Sequence, residues 1–251
     1  MNRLLSTPKE YKLSILKKNE YSSFLTQAKE RGFNFYKVKD IAKIKKDREN
    51  IILRHDVDLS LKFALEMAKI EDKKSIYSTY YIMIGGEFYN ILTPENISYI
   101  KKIKEMGHEI GLHFDTSKYS NIAHQKRILE SIIEDKVYSI SQHNPVNIGF
   151  IKEQIADVID AYKLSEFVPN LEYISDSGMM WRDYTFLDGL NLDKNLYILA
   201  HPISWMNSKN DLISIIREVE SYETEGLKTN FNNFINGHID YYKLRTNTSY
   251  K

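Results

Sequence analysis

The chain has 251 residues, 42% of them hydrophobic and 27% charged, with a formal net charge of +1. Those proportions are ordinary for a globular protein, and they give no bulk attraction for nucleic acid or an anionic membrane. Cysteine is absent, which excludes disulfides and thiolate metal sites and leaves histidine and carboxylate as the side chains able to hold a metal.

Residues Met1 to Asn50 form a preamble without evident chemistry. Met1 to Asn19 carries Arg3, Lys9, Glu10, Lys12, Lys17 and Lys18, with no apolar run of signal-peptide or membrane-span length. A cytoplasmic protein without stable membrane insertion is the default expectation. Tyr21 to Arg31 has helical spacing, with Phe24, Leu25 and Ala28 on one face and Gly32 as its stop. Lys39 to Asn50 is charge-rich and reads as solvated.

Ile51-Ile52-Leu53 then reads as a buried strand that runs into Arg54-His55-Asp56-Val57-Asp58. On an extended chain Asp56 and Asp58 share a face. Carboxylates held that close repel unless a cation or a shared proton lies between them, and a divalent metal is the simplest answer. The same two residues also suit a helix cap ahead of Leu59.

Leu59 to Glu71 is a predicted helix through Leu61, Ala64, Leu65 and Ala68, and Ser75 to Met83 a predicted strand broken by Gly85-Gly86. Thr93 and Pro94 open the next helix, Ile97, Ile100 and Ile103 give it an apolar stripe, and Gly107 ends it. His108 to His113 is a predicted strand, Asn121 to Lys136 a helix, Val137 to Ser141 a strand and Lys152 to Tyr162 a helix. Glu172 to Ser175 and Leu196 to Ala200 are short strands, and Asp211 to Tyr222 is an amphipathic helix through Leu212, Ile215, Ile216 and Val219. The tail after Lys228 has no clear period. Strand and helix alternate from Ile51 to about Tyr222, which predicts parallel strands with crossover helices in a single domain over 1–251.

The chemically unusual residues recur just after apolar strands. They are Arg54 to Asp58, His113-Phe114-Asp115, Gln142-His143-Asn144, Asp176 with Trp181-Arg182-Asp183, and His201-Pro202 with Trp205 beyond. In a parallel α/β fold such ends lie on one side, so these groups would converge. His55 and His108 read as supporting or structural residues, and His143 also suits a turn ahead of Pro145.

In order and spacing, Arg54 to Asp58, Gly107-His108-Glu109-Ile110-Gly111-Leu112-His113 and Leu199-Ala200-His201-Pro202 resemble the polysaccharide deacetylase superfamily, the NodB-homology or carbohydrate esterase family 4 group. The resemblance lies with the branch whose first motif is Arg-His-Asp-Val-Asp, and it spans Ile51 to Trp205. It implies an α/β fold, a distorted (β/α) barrel with about seven strands. It also implies metal-dependent removal of an N-acyl group from an amino sugar, with a divalent metal, zinc foremost, as cofactor. Mapped onto this sequence, Asp56 is the base, His201 the acid, and Asp58 and His113 metal ligands. Many relatives carry a second metal histidine where this chain has Ser117, so His143 is the expected replacement and Asp115 its competitor. The arginine that orients the base in many relatives has no counterpart near His143, and Arg54 or Arg182 takes that place. Trp181, Trp205, Arg182 and Asp176 are the expected substrate-facing residues, with Asp176 or Asp183 also able to orient His201. The expected partner is a small-molecule or lipid-linked amino sugar, with no nucleic acid; the sequence is silent on oligomeric state. A non-catalytic sugar-binding protein on the same scaffold and a hydrolase of a non-sugar amide are the alternatives.

Overall fold

The alternation read from the sequence folds as one parallel sheet. In a computed structural model of the chain the described residues are 16–45, 49–117, 119–151, 155 and 157–246, with side chains described to residue 237. The elements in chain order are α1 (Lys18–Glu30), β1 (Asn34–Tyr36), β2 (Asn50–Val57), α2 (Leu61–Asp72), β3 (Thr79–Met83), α3 (Pro94–Glu105), β4 (Glu109–Phe114), α4 (Ile122–Ile133), β5 (Ser139–Gln142), α5 (Pro145–Ile148), β6 (Ile159–Asp160), β7 (Leu171–Ser175), α6 (Phe186–Gly189), β8 (Asn195–Ala200), α7 (Pro202–Trp205) and α8 (Leu212–Thr246). Helix starts follow the local chemistry: Thr93 Oγ1 accepts the Asn96 N–H at 3.3 Å ahead of α3, and Asn121 Oδ1 accepts the His124 N–H at 2.8 Å ahead of α4. Among the described residues no helix is long and apolar enough to cross a membrane.

The strand order is β6-β5-β4-β3-β2-β8-β7, with β1 beside the start of β2 and every pairing parallel. The sheet curls, because Arg54 on β2 touches Ser141 on β5 and Tyr162 just beyond β6. Among the described residues β6 and β7 do not pair, so the curl is an unclosed, distorted (β/α) barrel. One prediction fails here: the chain over Ile159–Asp160 is a strand added to the edge of β5, where a helix was expected over Lys152 to Tyr162. Residues 152–154 and 156 lie outside the described residues. The apolar spacing suited a helix, but Asp157 has a φ of 61°, a left-handed turn that helical backbone does not allow.

Two compact units are present, Met1–Ser208 with the sheet and Lys209–Lys251 with α8. Asp211 Oδ1 accepts the Ser214 N–H at 2.9 Å at the start of α8, and the helix continues through the tail where the sequence showed no period. No proline interrupts Leu212–Thr246, which leaves its backbone ladder intact.

Strand alternation on β2 decides what reaches the site. Ile52 joins Val38, Tyr81, Leu164 and Tyr197 in a core that fills the inside of the curl. Arg54 and Asp56 follow on the same face. Gly111 on β4 makes room for this arrangement, since a methyl group there would run into the Tyr81 ring that lies beside the Arg54 guanidinium.

The opposite face of β2 turns His55 toward the helices, where it meets Glu71 at the end of α2. Both side chains are fully buried. The Glu71 carboxylate accepts hydrogen bonds from Tyr21 Oη, His55 Nε2 (2.7 Å), Ser78 Oγ (2.7 Å) and Tyr80 Oη (2.9 Å). Burial works to raise its pKa, but His55 and the other donors bring it from 4.5 down to about 2. A depressed carboxyl contributes stability above its unfolded value and loses it as pH falls through the folded one. Glu71 is therefore expected to contribute roughly 3 kcal/mol above about pH 4.5 that disappears toward about pH 2. Urea denaturation between pH 6 and pH 2 checks this: wild type should lose stability across that window more steeply than Glu71→Gln.

Candidate metal centre and active site

Five strand ends supply the site. Asp56 and Asp58 come from the end of β2, His113 from β4, His143 from just past β5, Asp176 from just past β7 and His201 from just past β8. They gather on the carboxyl side of the sheet because all the strands run the same way.

Asp58, His113 and His143 each offer a ligand atom, and these atoms lie within 4.8 Å of one another. Asp58 Oδ1 is 3.1 Å from His113 Nε2 and 3.4 Å from His143 Nδ1, and the two ring nitrogens are 3.2 Å apart. His113 Nδ1 lies 2.9 Å from the Ser141 carbonyl, which can only accept, so Nδ1 carries the proton and Nε2 presents a lone pair. That is the tautomer a metal-ligating imidazole needs, fixed by its neighbour. Asp58 Oδ1 is buried without a hydrogen bond. A lone pair thus faces a carboxylate oxygen, and only an extra proton or a cation reconciles the two. Burial opposes ionisation of Asp58, yet the His113 and His143 rings hold its carboxyl well below the usual range. The residues fit a divalent ion with two imidazoles and one carboxylate. Asp115, the competitor for the third position, accepts from Ser117 N–H at 2.8 Å and Ser117 Oγ at 2.6 Å and is outside the group.

Asp56 is gripped by the Arg54 fork, Nε to Oδ1 at 2.8 Å and Nη2 to Oδ2 at 2.6 Å. Burial works to raise its pKa, and Arg54 with His113 brings it below the ordinary value. Arg54 is itself fully buried. It donates to Tyr197 Oη at 3.0 Å, to Tyr162 Oη at 3.1 Å and to Ser141 Oγ, and the Tyr81 and Tyr162 rings lie 5.3 and 4.6 Å from its guanidinium. A charge this deep keeps its stabilisation through complete hydrogen bonding. Of the two arginines expected to hold Asp56, Arg54 makes the contact. Arg182 is half-buried and lines the cavity described below.

His201 Nδ1 donates to Asp176 Oδ1 at 2.6 Å, and the His201 N–H donates to both oxygens of the same carboxylate. Its Nε2 lies 3.8 Å from Asp58 Oδ2. Burial works to lower the His201 pKa, and Asp176, Asp58 and Asp56 outweigh it and raise the value to about 9. The ring is therefore protonated at neutral pH.

Two expected substrate-facing residues lie elsewhere. Asp176 is 1% exposed and Trp205 3% exposed, and Trp205 Nε1 donates to Asp176 Oδ2 at 2.8 Å. Both sit behind His201, because α7 turns the indole inward onto Phe186 and Tyr21. Trp181 is half-buried with its ring 4.9 Å from Phe186. Sequence reasoning missed Tyr162, Tyr173 and Ser141. Tyr162 and Tyr173 line a cavity of about 360 Å³ with Asp56, Asp58, His201 and Arg182. Ser141 holds both His113 and Arg54, and its place at the end of a predicted strand beside His143 was the available signal.

No protein-family model matches the chain, and no curated protein sequence matches it. Solved structures similar to it include the Streptococcus pyogenes deacetylase PplD in complex with acetate, 15% identical with a TM-score of 0.43, covering 59% of this chain and 70% of that one. A family 4 carbohydrate esterase from Bacillus anthracis is 12% identical with a TM-score of 0.40, covering 88% and 91%. BA3943 from the same organism, described as a CE4 family pseudoenzyme, is 13% identical with a TM-score of 0.42, covering 71% and 63%. The likeness to these carbohydrate esterase folds is one of overall architecture.

Proposed function

We propose that the protein is a metal-dependent hydrolase that removes an N-acyl group from an amino sugar carried by a small-molecule or lipid-linked precursor. One observation carries the reading: a two-histidine, one-carboxylate group shares a cavity with an arginine-held carboxylate and a protonated histidine. The cavity, about 360 Å³ and lined by Asn144, Asn147, Tyr162, Tyr173 and Arg182, suits a hydroxyl-rich ring.

Asp58, His113 and His143 would hold the ion, and zinc suits that donor set. The chemistry supplied by an ion bound there is Lewis acidity toward an acyl oxygen. Asp56, ionised and aimed by the Arg54 fork, takes a proton from the water that attacks the acyl carbon. His201 gives its Nε2 proton to the departing sugar nitrogen, while Asp176 keeps Nδ1 protonated and the ring in place. Each transfer contributes about two to four orders of magnitude in rate.

The test is acid release from a panel of N-acyl amino sugars by ion-loaded protein. Asp56→Asn and His201→Gln should each lower the rate by about 10²- to 10⁴-fold while still binding the ion. Ion binding with no release from any sugar or cyclic amide would move the reading to a sugar-binding protein. Release from non-sugar amides alone would change the substrate class.

A further inference from the structure

His55 lies outside the cavity, with its whole side chain buried on the helix-facing side of β2. Its two ring nitrogens bridge the end of β8 and the end of α2. Nδ1 lies 3.1 Å from the Ala200 carbonyl, which can only accept. Nε2 lies 2.7 Å from the Glu71 carboxylate. Both nitrogens therefore donate. The Ala200 carbonyl belongs to the peptide that leads directly into His201, and Ala200 is also the register partner of His55 across β2 and β8.

The support behind this ring is dense. Glu71 is fixed by hydroxyls from α1, from the strand-entry residue Ser78 and from β3. The Tyr80 ring packs 4.5 Å from His55 and the Tyr21 ring lies edge-on at 6.2 Å. Tyr21 also touches Trp205 at 5.4 Å, and Trp205 holds the Asp176 that holds His201. The His201 ring is thus reached from behind by two routes that start at the same buried cluster.

We propose that His55 is a positioning residue whose Nδ1 bond to the Ala200 carbonyl sets the Ala200–His201 peptide and thereby the distance between His201 and the two carboxylates at the end of β2. This rests on the acid role given to His201 above. No proton need move in the clamp; its work is geometric, and a misplacement of about 1 Å at a proton donor costs on the order of 100-fold in rate.

The two nitrogens can be separated by substitution. In His55→Asn the amide nitrogen falls near the place of Nδ1 and keeps the bond to Ala200. In His55→Gln it falls near the place of Nε2 and keeps the bond to Glu71. Acyl release and the NMR signal of the His201 Nδ1–H proton are measured in both, with ion content confirmed. The clamp predicts that His55→Asn keeps kcat within about threefold and leaves the His201 signal in place, whereas His55→Gln lowers kcat by about 10- to 100-fold at unchanged KM and moves it. Equal losses in the two variants, or losses that simply follow thermal stability, overturn the proposal. If wild type releases no acyl group from any substrate, the hydrolase reading fails on its own and the His201 signal still decides the clamp. Where neither variant folds, Glu71→Gln keeps an acceptor opposite Nε2. The His201 signal should then stay in place, and a displaced one counts against the clamp.

Discussion

Asp58→Ala and His113→Ala are each expected to abolish divalent-ion binding, and His143→Ala to weaken it severely. Changes to residues around a metal's ligands cost about 10- to 100-fold in affinity, and loss of a ligand costs at least the upper end of that range. Asp58 should be the most sensitive, because its Oδ1 is the buried oxygen that both imidazoles face. Titration calorimetry with zinc on metal-stripped protein measures this directly. Asp115→Ala is the control, and it should stay within about tenfold of wild type because Asp115 is turned to Ser117. If Asp115→Ala lost the ion and His143→Ala kept it, the ligand assignment would be reversed.

Arg54→Met is expected to cost about 3–5 kcal/mol in stability, since it leaves the buried Asp56 carboxylate without its guanidinium partner. Arg54→Lys should recover little, because an ammonium cannot reproduce the paired bonds to Oδ1 and Oδ2 or fill the space among the Tyr81, Tyr162 and Tyr197 rings. The double change Arg54→Met with Asp56→Asn should cost clearly less than the sum of the two single changes, because the orphaned charge is gone. Chemical denaturation of the four proteins gives the coupling. Additive losses would mean that the pair is energetically idle and that the arginine matters only for packing.

Much of this site was legible in the chain because β-strands alternate. Asp56 and Asp58 two residues apart, and polar clusters at the end of each apolar run, needed only the parallel arrangement to converge. His143 was legible for the same reason, since β5 neighbours β4. The roles of Asp176 and Trp205 were less so. A residue just beyond a strand has no fixed face, and only the turn of α7 shows that the indole packs inward. Tyr162 stayed hidden because its segment carries helical spacing, while edge pairing with β5 overrides that local preference. The tail beyond Lys228 shows the reverse, a helix continuing without an apolar stripe to announce it.

Asp56 and its guanidinium partner Arg54 sit on one strand, two residues apart, so their meeting requires no closure of a long loop. That salt pair is available as soon as residues 54–56 become extended. The candidate ion ligands are different: Asp58, His113 and His143 come together only when β2, β3, β4 and β5 are all in register. Ion uptake during refolding should therefore lag behind compaction and mark the moment the sheet is complete, a clock for its assembly.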